Sequence, residues 1–339
     1  MDESELHIVV VFNLEREFLR GDPKELAAAQ DTATTSEFIF SAIRRLGYSS
    51  AKIAIETSLD VLAQDLAQYA PKNTLIFNNC DGFIGENMGA VRVMRLVEKL
   101  GFRHTGAHSD RIFDCIDKAR AKTRLMRHGV PTPPFQVFEE AKGDLRLKFP
   151  AIVKPVAEDA SMGIDLESVV NNRKALFNRV EYVLATYKQP AIVEEFIIGR
   201  EFAVSLWGNR IIEALPVSEE DFGGISDPLK AFLTYESKWV ESSPYFQEIF
   251  SRPAKLNPKT EMEVKEAAID AYRAMGLRDF GRVDIRFRDG VPFVIDVNEI
   301  PDLSPESGFP RTTKMAGYSY DDMIEEILDI ALRREGWRK

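Results

Sequence analysis

Apolar and polar positions follow two alternating periods over the first hundred residues. The run HIVVVF (7–12) has the length and composition of a buried strand, and Phe38, Ala42, Ile43 and Leu46 then recur at helical spacing before Gly47. KIAI (52–55) predicts a second strand, SLDVLAQDLAQYA (58–70) a helix ended by Pro71, and TLIFNN (74–79) a third strand. Met88, Val91, Val97 and Leu100, with Val93 and Met94 beside them, predict a further helix closed by Gly101. Strands and helices in strict alternation imply a parallel sheet covered on both faces. Its ligands would sit at the carboxyl ends of the strands, here Asn13 and NNCDGFIGEN (78–87).

The pattern then changes. DKARAKTRLMRHG (117–129) is a basic helix broken by VPTPP, and a solvated face is its simplest reading. FPAIVKP (149–155) is a buried type of strand ending in Lys-Pro, while IVEEFI (192–197) and REFAVSLWG (200–208) predict an antiparallel pair turned at Gly199. Residues 218–260 are polar and proline-dotted with little periodicity, the composition of a functional lid or a disordered loop. Val264, Ala268, Ala271 and Met275 mark a helix closed by Gly276. A hairpin follows over 281–301 with its turn at Asp289-Gly290, then an amphipathic helix carrying Met323, Ile327 and Ile330.

At 339 residues the chain suits two or three domains. Its 44 Lys+Arg against 54 Asp+Glu set a formal net charge of −10, which opposes binding nucleic acid through overall charge. No apolar run approaches the roughly 20 residues of a membrane span, and the opening MDESEL is acidic where a secretory signal is basic. Cys80 and Cys115 make neither a disulfide framework nor a zinc site. The expectation is a cytoplasmic α/β protein with a small, anionic ligand, in which positive charge is concentrated locally.

Asp284, Asp296 and Asn298 stand out because an apolar strand such as VPFVIDVN should not carry an unpaired carboxylate without a reason. Alternation puts Asp296 and Asn298 on one face, and Arg282, Asp284 and Arg286 on one face of the partner strand. A two-residue turn would pair Asp284 with Ile295 and separate the acids. An odd-numbered loop, favoured by Pro292 and Gly290, would set Asp284 opposite Asp296 and Arg282 opposite Asn298. Two carboxylates and an amide oxygen suit Mg²⁺ held with substrate phosphates. A surface ion-pair ladder of Arg282, Asp284 and Arg286 explains the same residues equally well.

Lys154 closes a strand before the small-residue loop EDASMG (158–163), where a lysine and loop N–H groups can hold a phosphate. There is no G-x-x-x-x-G-K-[ST] pattern, so a P-loop is excluded. A snorkelling side chain accounts for Lys154, Lys118 or Lys238 taken singly. Glu194 and Glu201 flank Gly199 and suit ribose hydroxyls, or equally a polar hairpin rim. His104 and His108 lack a nearby acid in a metal-site pattern and read as structural.

The order of these pieces is more specific than any of them. DK (117–118), FPAIVKP, VEEFIIGREF, a loop lysine, GRVDIRF, IDVNEIP and SGFP (307–310) together resemble the ATP-grasp superfamily, and most closely the D-alanine–D-alanine ligase family. The resemblance implies an α/β ATP-grasp fold: a Rossmann-like N-terminal domain (1–108), a central subdomain (109–192), and a catalytic subdomain (193–339) whose omega loop covers about 218–255. It implies ATP held by Lys118, Lys154, Ser161, Glu194, the backbone of Ile197, and Glu201. Lys238 would reach the γ-phosphate, and Mg²⁺ (two ions, with Mn²⁺ a substitute) would sit on Asp284, Asp296 and Asn298. Arg282 would stabilise the tetrahedral intermediate, Ser307 would hold the second substrate's carboxylate, and the Asp302 N–H would serve the oxyanion. The implied reaction joins a carboxylate and an amine through an acyl-phosphate, in a homodimer without nucleic-acid or membrane partners.

The departures concern the amino-acid substrates. Polar groups that the family uses for its first substrate are missing near Ala28, at Ala160 and at Trp239. Asp302 replaces a glycine, Gly308 a leucine, and Glu306 adds further negative charge. The expectation is a ligase for substrates other than two D-alanines, with an amine-bearing or cationic nucleophile. A D-alanine–D-alanine ligase proper and a nucleotide-binding protein without turnover remain as the other two readings.

Overall fold

The computed structural model describes residues 6–14, 21–22, 26–56, 58–83 and 88–338, with backbone alone at 26–31. The stretch 84–87 of the predicted strand-end segment and the side chain of Ala28 lie outside the described residues. Among the described residues, fourteen strands form three sheets and eleven α-helices pack around them.

The first sheet holds β1 (His7–Asn13), β2 (Ser49–Ile55), β3 (Thr74–Asn79) and β4 (Arg103–His104), all parallel in the order β2-β1-β3-β4. They alternate with α1 (Leu26–Arg45), α2 (Leu59–Leu66), α3 (Gly89–Lys99) and α4 (Ser109–Ile116). The period-2 side-chain direction of β1 sorts the core. Val9 and Val11 face Leu62, Leu66, Val91 and Met94 on one side. Ile8 and Val10 face Ile39, Ala42 and Ile43 on the other, where Met323, Ile324 and Ile327 of the last helix also pack. The C-terminal helix therefore covers the N-terminal sheet.

α5 (Lys118–Arg127) starts at Asp117, whose side chain accepts the Arg120 N–H, and leads into a second, antiparallel sheet. That sheet contains β5 (Phe135–Phe138), β6 (Ala151–Pro155), β7 (Val169–Val170) and β8 (Ala191–Glu195) in the order β5-β8-β6-β7, with α6 (Arg173–Tyr187) on its outer face. Ala151, Val153, Ala191 and Val193 bury themselves against Leu176, Val180 and Val183. Each of the valines and the leucine among them contributes about 1.5–3 kcal/mol. Alternation then leaves Ile152, Lys154 and Glu194 on the inner face.

The third sheet comprises β9 (Arg200–Gly208), β10 (Ile212–Ala214), β11 (Ser218–Asp221), β12 (Phe250–Pro253), β13 (Phe280–Arg288) and β14 (Val291–Asn298) in the order β12-β11-β9-β13-β14, with β10 on β9. Between β11 and β12 lie α7 (Tyr235–Trp239) and α8 (Pro244–Glu248), and α9 (Pro258–Met275), α10 (Gly308–Met315) and α11 (Tyr320–Arg334) complete the chain. Val264, Ala268, Ala271 and Met275 of α9 are fully buried against Val204, Leu206, Val283 and Ile285, so Glu201, Ala203, Arg282, Asp284 and Arg286 point away from α9.

One sequence expectation is corrected here and one is narrowed. IVEEFI and REFAVSLWG do not form a hairpin: β8 belongs to the second sheet and β9 to the third. Gly199 links the sheets at a point where a Cβ would lie 2.2 Å from the Phe287 carbonyl oxygen, leaving no room for a side chain. The disordered-loop alternative for 218–260 is set aside, because β11, α7, α8 and β12 lie within that stretch.

Candidate active site

Register decides whether the acids of β13 and β14 meet. The turn is the two-residue kind, with Arg288 opposite Val291 and positive φ at Asp289 (52°) and Gly290 (80°). On that register alone Asp284 would face Ile295. A β-bulge past Ile285 absorbs Ile295, so that Asp284 stands opposite Asp296 and Arg282 opposite Asn298. The predicted pairing is present, but a bulge produces it where an odd-numbered loop was expected. Val294 and Val297, three apart and both buried against α9, are the sequence trace of that bulge, since regular alternation would send them to opposite faces.

The second and third sheets enclose a cavity of about 730 Å³, lined by every residue assigned above to a catalytic, nucleotide or metal role. They are Lys118, Lys154, Ser161, Glu194, Ile197, Glu201, Lys238, Arg282, Asp284, Asp296, Asn298, Asp302 and Ser307.

The predicted solvated face of α5 is corrected by its burial. Lys118, Ala121, Lys122 and Leu125 form one buried stripe. Lys118 Nζ donates to the Glu158 carbonyl (2.6 Å) and lies 3.5 Å from Asp159. Burial works against its charge, but the Asp296, Asp159 and Glu194 carboxylates outweigh that and hold its pKa above the ordinary value. Lys122, which the residue reading did not single out, pairs with Glu194 at 3.0 Å, and Lys154 approaches the other Glu194 oxygen at 3.4 Å. Burial raises the Glu194 pKa, yet the two lysines dominate and keep it below the usual carboxylate value. The signal for Lys122 was its position four residues after Lys118, on the same helical face as Ala121 and Leu125.

On the third sheet, Arg282 grips Asp284 with two bonds (2.8 and 2.9 Å), and Asn298 donates to Asp284 at 3.1 Å. The proposed ladder stops there, because Arg286 turns instead to Glu201 (2.6 Å) and to the Ala231 carbonyl (2.8 Å). Asp296 has no ion-pair partner among the described residues, and its side chain accepts only its neighbour's N–H, from Val297 at 3.2 Å. Burial raises its pKa, but Lys118, Lys154, Lys122 and Arg282 prevail and lower it. A charged carboxylate without direct partners, beside Asp284 and Asn298, fits a hard divalent cation.

Lys238 reaches the cavity from α7, whose start is fixed by a reciprocal Thr234–Ser237 capping box. It makes no hydrogen bond or ion pair with any described residue. Burial, then the nearby Arg282 guanidinium, lower its pKa. The lid is closed onto the small-residue loop: Trp239 Nε1 donates to the Ala160 carbonyl (3.0 Å) and the Tyr235 N–H to the Ile164 carbonyl (2.9 Å). Two positions where the sequence lacks expected polar groups, Ala160 and Trp239, thus meet each other. Ala160 and Ser161 both take positive φ (53° and 62°), which shapes that loop around the cavity.

Asp302 lines the cavity, but both its oxygens are taken by Ser304, from the N–H (2.7 Å) and the hydroxyl (2.9 Å). Ser307 Oγ donates to the Asp302 carbonyl at 2.6 Å and begins α10, whose N-terminus faces the cavity. His104 and His108 do have an acid beside them, since Glu98 Oε1 lies 3.2 Å from each. Arg278 also contacts both rings, which agrees with the structural reading of these histidines.

A cavity between two antiparallel sheets, with lysines from α5, β6 and α7, a carboxylate–amide pair on adjacent strands and a lid, has the arrangement of an ATP-grasp site. The sequence model described as D-ala D-ala ligase C-terminus matches residues 125–329. The chain is 30% identical over 305 residues to a D-alanine–D-alanine ligase of Thermotoga maritima, covering 90% of this chain and 93% of that one. It is 36% identical over 264 residues to the uncharacterized protein y4sG of Sinorhizobium fredii, covering 77% and 75%. Its fold matches the crystal structure of the Bacillus anthracis D-alanine–D-alanine ligase complexed with ATP, with a TM-score of 0.74 and 21% identity over 98% of both chains. The chain belongs to the D-alanine–D-alanine ligase family, and is an ADP-forming enzyme that makes C–N bonds. No helix among the described residues is long and apolar enough to cross a membrane.

Proposed function

We propose that the protein joins a carboxylic acid to an amine at the expense of ATP, through an acyl-phosphate, with substrates other than two D-alanines. The observation that carries this reading is Lys238. A cation enclosed in the cavity without a hydrogen bond or ion pair calls for an anion, and its lid position suits a transferred phosphoryl group. Lys118 and Lys154 hold the inner phosphates, while Glu194, the Ile197 backbone, Glu201 and Ser161 hold the rest of the nucleotide. Mg²⁺ on Asp284, Asp296 and Asn298 would supply charge neutralisation for the triphosphate. A carboxylate oxygen of the first substrate attacks the γ-phosphorus and ADP leaves. The uncharged amine nitrogen then attacks the acyl carbon, phosphate departs, and the nitrogen gives up a proton as the amide forms. Arg282 stands beside the N-terminus of α10, and in this reading its guanidinium and that N-terminus stabilise the tetrahedral oxyanion. The division near residues 108 and 192, a homodimer through the N-terminal region and a cytoplasmic setting belong to the same reading.

The protein incubated with ATP, Mg²⁺ and a panel of acids and amines should yield ADP and phosphate in step with an amide seen by mass spectrometry. Efficient dimerisation of D-alanine with no better substrate would reject the substrate part of this proposal. Asp296→Asn should abolish product formation and weaken Mg²⁺-dependent nucleotide binding; unchanged metal dependence would remove the assignment. Trp239→Phe deletes one neutral hydrogen bond of the lid, worth about 0.5–1.5 kcal/mol. A few-fold rise in ADP release without amine is therefore expected from water entry, and tight coupling in that variant would mean that the bond does not hold the lid.

A further inference from the structure

A polar row crosses the cavity side of the third sheet. Cross-strand register sets Arg286 opposite Glu201, Glu201 opposite Glu220, and Glu220 opposite Ser251. Arg286 neutralises Glu201. Glu220 has no such ion pair: both its oxygens lie 2.7 Å from Ser251 Oγ, and Arg311 Nη2 donates to that same hydroxyl at 2.7 Å. A carboxylate and a guanidinium therefore stand one hydroxyl apart, and all three side chains line the cavity. Arg311 makes no other hydrogen bond among the described residues, and its Nε is buried without a partner. Burial pushes the Glu220 pKa up, while Ser251, Arg311 and Lys238 pull against that; the neighbouring Glu201 adds to the rise. Beside the row the lid presents Phe246, Ile249 and Phe250 to the cavity, and Phe250 is 57% exposed.

We infer that Glu220, Ser251 and Arg311 form the receptor for an amino-acid substrate: Arg311 takes its carboxylate, Glu220 its ammonium, and the Phe246–Phe250 wall an apolar side chain larger than methyl. The inference rests on the ligase reading above and names the substrate class for it. Opposite charges one hydroxyl apart match the two ends of an α-amino acid. A guanidinium with donors to spare suits a carboxylate, because its planar fork is pre-organised for that shape. Ser251 keeps the two charges oriented before the ligand arrives, accepting from Arg311 and donating to Glu220.

The experiment is calorimetric titration of amino acids of both hands, with methyl and with larger apolar side chains, into protein held with Mg²⁺ and a non-hydrolysable ATP analogue. For the best of them, two truncated probes are added: the amine lacking its carboxylate and the acid lacking its amine. The wild type should prefer a larger apolar side chain to alanine. Arg311→Met should weaken the amino acid by about tenfold or more, the usual weight of a hydrogen bond to a charged group, and leave the carboxylate-free amine unaffected. Glu220→Gln should do the reverse, sparing the amine-free acid. Arg311→Lys should retain part of the affinity, and unchanged affinity for the ATP analogue certifies the fold of each variant. Losses that are equal for the truncated probes, losses shared by the ATP analogue, or a wild type that binds no amino acid would each overturn the receptor. Absence of ADP and amide with every substrate would instead defeat the ligase reading, and the binding data would still decide the receptor.

Discussion

Replacing Arg282 with Ala is expected to lower the rate of amide formation by about 10²–10³-fold, the usual weight of a preorganised charge at a developing oxyanion, while ATP-analogue affinity changes little. Arg282 spends Nε and Nη2 on Asp284. Its remaining nitrogen, Nη1, faces the start of α10, 3.6 Å from where a Gly308 Cβ would stand. Gly308 therefore leaves open the space into which Nη1 points. Arg282→Lys should fail almost as badly, because one ammonium cannot both fix Asp284 and reach the reaction centre. Single-turnover formation of ADP, followed separately from amide release, checks the assignment. A variant with wild-type amide yield would show that Arg282 merely neutralises Asp284.

Lys122→Met should cost about 3–5 kcal/mol of stability at neutral pH, the range for breaking a buried ion pair from one side. Lys122 and Glu194 are both nearly inaccessible, and Lys154 approaches Glu194 only at 3.4 Å. Lys122 also donates to Thr132 (2.9 Å), whose hydroxyl donates to the Val294 carbonyl, so the pair ties α5 to β14. The effect should depend on pH in a definite direction. Glu194 titrates below its ordinary value of 4.5 when folded, so its ionic contribution is complete above that value and is lost as pH falls through the folded pKa. The gap between wild type and variant in thermal unfolding should therefore narrow on acidification. Adding Glu194→Gln to Lys122→Met should recover part of the loss, because the buried carboxylate that lost its nearer partner is then removed as well, and Lys154 approached it only at 3.4 Å. Equal gaps at neutral and acid pH, with no recovery in the double variant, would rule out the ion-pair account.

Much of the site was legible because strands and helices write their faces in period. The run FPAIVKP placed Lys154 on a buried strand, and GRVDIRF with IDVNEIP placed Asp284, Asp296 and Asn298 on adjoining ones. The linear order of these segments, more than any one of them, pointed to the family. The limits lay wherever a residue's role depends on a partner distant in sequence. Lys122 read as solvent-facing because helical charge runs usually are, and only packing against β8 reveals Glu194 behind it. Arg286 looked like a rung beside Asp284 until the β9 register brought Glu201 within 2.6 Å. Glu220 and Arg311 belong to no motif and meet only through Ser251.

The sequence by itself determined the strongly periodic strands and helices and the chemistry available on each strand, but not the buried face of α5 or the elements within 218–260, since periodicities of 2.0 and 3.6 residues are legible only within one apolar-patterned segment. Tertiary structure decided the rest: that residues 191–195 and 200–208 join different sheets, that one bulged residue turns Asp296 toward Asp284, and that lysines from α5, β6 and α7 converge on one cavity. The physical reason is that register and sheet partnership are settled by burial and hydrogen bonding between segments far apart in the chain, where local pattern carries no information.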